Sequence, residues 1–230
     1  MDSEKCSRRR RRRGTIKRVA CVVALLGAAV AAPAQQEDQD AVAPTGADVL
    51  DAFLADVDKL SAQFRQETWT ADHELFETAV GTMALKRPNR FYWHQEPPLE
   101  TIVVADGEAL WTYDVELAQV AVTRLDELET ANFALLLAGD ENLYESFEVV
   151  RSDRIDDHDW VKLAPKTASA DFTSVRIAFS EGLPRQLELV DGLEQTTRIE
   201  FSDVVVNAEL DESLFEFDPP AGADVIGDPD

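Results

Sequence analysis

Apolar residues fall along this chain in three different rhythms, and each predicts a different kind of element. Val19 to Ala32 is an unbroken apolar stretch without a charged residue. It is shorter than the roughly 20 residues that a membrane-spanning helix needs. From Val49 the spacing becomes three and four. Val49, Leu50, Phe53, Leu54, Val57, Leu60 and Phe64 form one stripe, with Asp48, Asp51, Asp56 and Asp58 on or beside the opposite face. This pattern predicts an amphipathic helix lying on something apolar, with Thr45 as its cap.

Beyond that helix the period changes to two. Segments around 63–70, 76–86, 90–95, 100–105, 109–114 and 117–124 are rich in Val, Thr, Phe, Tyr and Trp and read as strands. The pattern returns at 147–152, 159–164, 174–180, 184–190 and 195–202. Asp106-Gly107 is a hairpin signal of the type I′ kind, and Glu181-Gly182 and Asp191-Gly192 mark further turns. About eleven antiparallel strands with mostly short connections fit a barrel or a strongly curved sheet. Between the two runs, Leu125 to Gly139 predicts a second helical region, and Phe133 to Ala138 within it is apolar nearly all round. Helices before and inside such a sheet must cover one face or mouth of it. The tail after Phe217 reads as extended and frayed.

The first apolar run has the flanks of a secretory signal. Arg8 to Arg13, Lys17 and Arg18 precede it and Ala32-Pro33-Ala34 follows, which predicts a signal peptide at 1–34 and Gln35 as the first mature residue. A retained anchor is the alternative. Both cysteines, Cys6 and Cys21, lie in this leader, so the mature chain is expected to carry no disulfide and no lipid-accepting thiol. Residues 35–46 are expected to form a disordered acidic terminus, and 47–226 the folded domain.

Removing the leader sharpens the charge. Of 22 basic and 45 acidic residues, nine and two lie in 1–34, leaving thirteen and forty-three, a net of −30. Such a surface repels nucleic acid and anionic membrane. Salt would screen its self-repulsion, which suits a saline exterior, although a generally acidic secreted protein fits the same numbers.

Catalytic patterns do not emerge. His73, His94 and His158 have no metal-ligand spacing, and the chain has no nucleophile elbow, phosphate loop or dinucleotide fingerprint. Asp153, Asp156, Asp157 and Asp159 lack the glycine and glutamate of a calcium loop and read as a charged hairpin tip. Neither a cofactor nor a metal is expected, and binding is favoured over catalysis. The informative string is Lys86-Arg87-Pro88-Asn89-Arg90-Phe91-Tyr92-Trp93. Pro88 and Asn89 predict a turn, after which Phe91 and Trp93 share one face and Tyr92 takes the other. Two such aromatics suit an ordinary core or the lining of an apolar ligand site. Arg87 suits an exposed strand end, or an inner face on which it needs acceptors.

KRPNRFYWHQEPP followed by ETIVVADGEALWTYD, then ANFALLLAG, VKLAPK and LFEFDPPAGADVI, resembles the LolA family of periplasmic carriers of outer-membrane lipoproteins. The resemblance runs over about residues 47–226, with Arg90, the longer acidic terminus and the high charge as departures. It implies an incomplete antiparallel β-barrel closed by a helical lid over an apolar chamber. By motif position, Arg87 would hydrogen-bond the lid and hold the empty form closed. Phe91 and Trp93 would line the chamber, and Phe133, Leu136, Leu137 and Ala138 would be its lid side. The implied partners are lipoprotein acyl chains, an inner-membrane ABC-type releasing complex and an outer-membrane lipoprotein receptor. The implied protein is a periplasmic monomer without catalysis. A non-catalytic envelope lipid-binding or stress-sensing module on a similar half-barrel is the alternative.

Overall fold

The computed structural model describes residues 45–127, 133–138, 143–167 and 172–228. The expected signal peptide and all but the last two residues of the expected acidic terminus lie outside the described residues. Helix α1 spans Gly46–Asp56, and strands β1 to β6 span Lys59–Trp69, Leu75–Lys86, Arg90–Gln95, Thr101–Asp106, Ala109–Asp114 and Gln119–Arg124. A 3-10 turn at Leu125–Glu127, α2 at Phe133–Ala138 and α3 at Leu143–Ser146 lead to the second run. There β7 to β11 cover Phe147–Ile155, His158–Pro165, Ser174–Ser180, Leu183–Val190 and Thr196–Val206. A 3-10 turn at Glu212–Phe215 and β12 at Asp224–Ile226 end the chain.

All twelve strands form one open sheet in the order β12-β6-β5-β4-β3-β2-β1-β11-β10-β9-β8-β7. The first eleven pair antiparallel, as the alternation predicts. The path explains the helices. Strand β6 lies near one end of the sheet and β7 at the other, so the segment between them must cross the sheet, and α2 packs on β2 and β3 along the way. Helix α1 packs on β7, β8 and β9. Leu50 and Phe53 of α1 and Leu136, Leu137 and Ala138 of α2 join one core with the inward residues of the sheet.

The first helix is shorter than its stripe suggests. It stops at Asp56, and Val57 caps it in an extended conformation. Leu60 and Phe64 instead point inward from β1 together with Ala62. A spacing of four satisfies both the helical period and the strand period, so the stripe ran on past the true end. The start is as expected. The Thr45 hydroxyl accepts from the Asp48 N–H at 3.3 Å, and the Asp48 carboxylate accepts from the Thr45 N–H at 2.8 Å, a capping box.

Turn chemistry follows the residues. Glu181 and Gly182 have φ of 53° and 76°, and Asp156 and Asp157 have 49° and 64°, the paired left-handed conformations of two-residue hairpins. The acidic cluster is therefore a hairpin tip. The Asp106-Gly107 hairpin is present but differs from type I′, with positive φ at Gly107 and not at Asp106. Asp106 works through its carboxylate, which accepts from the N–H groups of Glu108 and Ala109 and from Trp111 Nε1, each at 2.8 Å.

The tail is ordered rather than frayed. Strand β12 pairs in parallel with β6, and Phe217 packs against Trp111 and Tyr113 with ring centroids 5.6 and 6.1 Å apart. Val104, Ala109, Trp111, Val120 and Val122 make the outer face of β4 to β6 apolar, and the tail is its cover.

Candidate functional site

The β2–β3 turn sits where the lid helix ends. Lys86 and Arg90 pair across the strands, and Asn89 takes φ of 59°, which asparagine tolerates. Alternation along β3 then turns Phe91 and Trp93 to the inner face, both buried, while Tyr92 packs with the outer cluster. The Phe91 and Trp93 rings are 6.2 Å apart and 17° from parallel, and Trp93 stacks on Phe64 at 3.5 Å. Leu136, Leu137 and Ala138 are buried in the same core. The side chain of Phe133 lies outside the described residues.

Phe53, Leu60, Met83, Leu85, Leu137, Pro184 and Phe201 line a pocket between the helices and the sheet with essentially no room for a water molecule. Where α1 and α2 meet the sheet, the inner face is packed by helical side chains, and Phe91 and Trp93 belong to that packing and do not line this pocket.

Arg87 ties the two helices together. Its Nη2 donates to the Leu137 carbonyl of α2 at 2.8 Å, and its Nη1 donates to the Val57 carbonyl at the end of α1 at 3.3 Å. The guanidinium carbon lies 5.0 Å from the centroid of the Phe53 ring, within the range of a cation–π contact. The turn adds two backbone bonds, Arg87 N–H to the Asp58 carbonyl at 2.8 Å and Asn89 N–H to the Ala138 carbonyl at 2.9 Å. The last carbonyls of a helix have no partners within it, so donors placed there answer a standing need. Burial lowers the Arg87 pKa, and the nearby Asp58 charge works against that shift. A guanidinium stays charged regardless. Its Nε is buried with no hydrogen-bond partner among the described residues, so the closed arrangement leaves one donor unsatisfied.

Further contacts surround this turn that the sequence pattern did not single out. Glu212 accepts from Lys86 Nζ and from Arg90 Nη1, at 2.5 and 3.0 Å, and so holds both flanks of the turn. The Tyr144 hydroxyl of α3 donates to the Asp51 carboxylate of α1. Burial, then the Asp51 contact, raises the Tyr144 pKa and keeps the hydroxyl protonated as that donor. These partners are separated by 93 to 126 positions, and no local signal marks them. The three histidines stay in separate hairpins. His94 Nε2 meets Glu100 at 2.9 Å and His158 Nδ1 meets the Asp156 carbonyl at 2.8 Å.

Comparison with known proteins adds a second line of observation. Residues 55–218 match the family model described as outer membrane lipoprotein carrier protein LolA. Several relatives bear the name outer-membrane lipoprotein carrier protein. The one from Nitrosospira multiformis is 38% identical over 185 residues, 80% of this chain and 89% of its own. The one from Pseudomonas entomophila is 37% identical over 210 residues, 91% of this chain and 97% of its own. Among solved structures, a LolA superfamily protein from Nitrosomonas europaea superposes with a TM-score of 0.46 at 16% identity, over 76% of this chain and 99% of that one.

Proposed function

The chain belongs to the LolA family of outer-membrane lipoprotein carriers, and from that premise we propose how its geometry carries a lipid. It is a non-catalytic chaperone. In this account it works in the periplasm as a monomer, takes lipoproteins from an inner-membrane ABC-type releasing complex, and passes them to an outer-membrane receptor. Its folded carrier domain is residues 47–226, freed by cleavage after residue 34.

The cargo sets the physical problem. Each methylene withdrawn from water contributes about 0.8 kcal/mol, so a chain of about 16 carbons resists crossing water by roughly 12 kcal/mol. A carrier must offer an apolar surface in transit and still surrender the chain. The inner face meets the first need, because α2 packs on β2 and β3, the strands that carry the inward Met83, Leu85, Phe91 and Trp93, and its displacement would open that surface. The second need is met by the lid's bias toward closure. Opening costs free energy before binding, which weakens the apparent affinity in proportion to the open fraction.

Arg87 sets that bias. The observation that carries the reading is its hydrogen bond to the Leu137 carbonyl, the contact that joins the signature turn to the apolar lid. Phe91, Trp93, Leu136, Leu137 and Ala138 form the acyl-chain surface, together with Phe133. The test is mass spectrometry of the protein purified from periplasm. Diacyl- or triacyl-modified lipoproteins are expected among the bound species, and a preparation with no lipidated protein under lysis-free extraction would overturn the reading.

A further inference from the structure

Arg87 can hold the lid only if the end of α1 is itself fixed, because one of its two acceptors, the Val57 carbonyl, lies there. That end is a joint of four residues, from Asp56, the last of α1, to Lys59, the first of β1, with Asp56 and Asp58 exposed and Val57 buried. The Val57 N–H stays with the Phe53 carbonyl of α1, but the four carbonyls and the N–H groups of Asp58 and Lys59 bond to two residues from elsewhere in the chain. Arg87 binds the Val57 carbonyl through Nη1 and the Asp58 carbonyl through its backbone N–H. Asn207, just past the end of β11, takes the rest.

Asn207 makes four bonds to this joint. Its Nδ2 donates to the Asp56 carbonyl at 2.8 Å, and its Oδ1 accepts from the N–H groups of Asp58 and Lys59 at 2.9 and 3.2 Å. Its own N–H donates to the Lys59 carbonyl at 2.8 Å. The residue holds φ of 54°, which aims side chain and backbone at the same target. The carbonyls of Asp56, Val57, Asp58 and Lys59 thus go in turn to Asn207, Arg87, Arg87 and Asn207. An amide carries its donor and its acceptor on separate atoms, which lets one side chain serve a carbonyl and two N–H groups at once.

We infer that Asn207 is a positioning residue for the lid latch. It fixes the α1–β1 joint so that the Val57 carbonyl and the Phe53 ring meet the Arg87 guanidinium, and it biases the carrier toward its closed, releasing form. This rests on the reading of Arg87 as the latch. Asn207 is exposed, and its hydrogen bonds among the described residues all go to the joint, so its effect on ligand affinity must pass through it.

The test is titration with a neutral naphthylamine dye, N-phenyl-1-naphthylamine, of wild type, Arg87→Leu, Asn207→Gly and the double variant. Glycine keeps the left-handed backbone without strain and removes only the amide. Asn207→Gly is expected to bind the dye roughly threefold more tightly, since a less closed lid raises apparent affinity. Arg87→Leu is expected to tighten it at least as much, and the double variant no further than Arg87→Leu alone. Should Asn207→Gly fail to fold, Asn207→Asp keeps the acceptor but loses the donor to Asp56, and it is held to the same comparison. Unchanged affinity in the Asn207 variants beside a tightened Arg87→Leu overturns the positioning role alone. An equal gain in both backgrounds also overturns it, by showing an effect independent of the latch. No change in Arg87→Leu itself removes the latch, and the inference with it.

Discussion

Arg87 binds its lid through carbonyl oxygens and an aromatic face, none of which titrates near neutrality. The guanidinium keeps its charge throughout the accessible range. Dye affinity of the wild-type protein is therefore expected to stay level between about pH 6 and pH 8, and a fluorescence titration across that range checks it. Asp106 behaves differently. Burial pushes its pKa up, but hydrogen bonds from Ala109, Glu108 and Trp111 outweigh burial and the net shift is downward. A depressed carboxylate contributes stability that is complete above its unfolded value, about 3.9, and is lost as pH falls through the folded value. Thermal melts of wild type and Asp106→Ala should differ at pH 7 and converge in acid. Trp93 gives a third handle. With Trp69, Trp111 and Trp160 replaced by Phe, its emission is expected to shift when dye or lipopeptide enters, and an unmoved spectrum would take Trp93 out of the lining.

The elements show where sequence reasoning works and where it stops. Eleven strands were legible because alternation, turn residues and β-branched content agree, and Phe91 and Trp93 could be placed on one face from parity alone. The end of α1 was not legible, because Leu60 and Phe64 satisfy two periods at once. The tail was missed for a different reason. Phe217, Ala223 and the short β12 have no periodicity of their own, and their order comes from Trp111, Tyr113 and Val120 on a surface assembled from distant strands. Asn207 and Glu212 were hidden in the same way, since their partners lie more than a hundred positions away. The role of the tail as a cover has a measurable size. Phe217 is half-buried, so Phe217→Ala is expected to cost about 2 kcal/mol, less than the 3–5 kcal/mol of a fully buried aromatic, as read from denaturant unfolding.

At the scale of the molecule, chain topology and charge set the behaviour. The path from β6 to β7 leads from one end of the sheet to the other, and along it α2 lays Leu136, Leu137 and Ala138 on the inner face. The net charge of −30 carried by residues 35–230 repels itself, and raising salt to about 1 M shortens the screening length to roughly 3 Å. The melting temperature is expected to rise across that series, and a flat response would mean that the charge does not limit stability. In the proposed mechanism the lid ties these scales together, because the Arg87 latch at one turn would decide whether the inner face is open to lipid. The most direct measurement is transfer of a radiolabelled lipoprotein from the loaded carrier to outer-membrane receptor, wild type against Arg87→Leu. Retention of most of the cargo by Arg87→Leu, where wild type gives it up, is the predicted result. Transfer by Arg87→Leu as complete and as fast as by wild type would contradict the account.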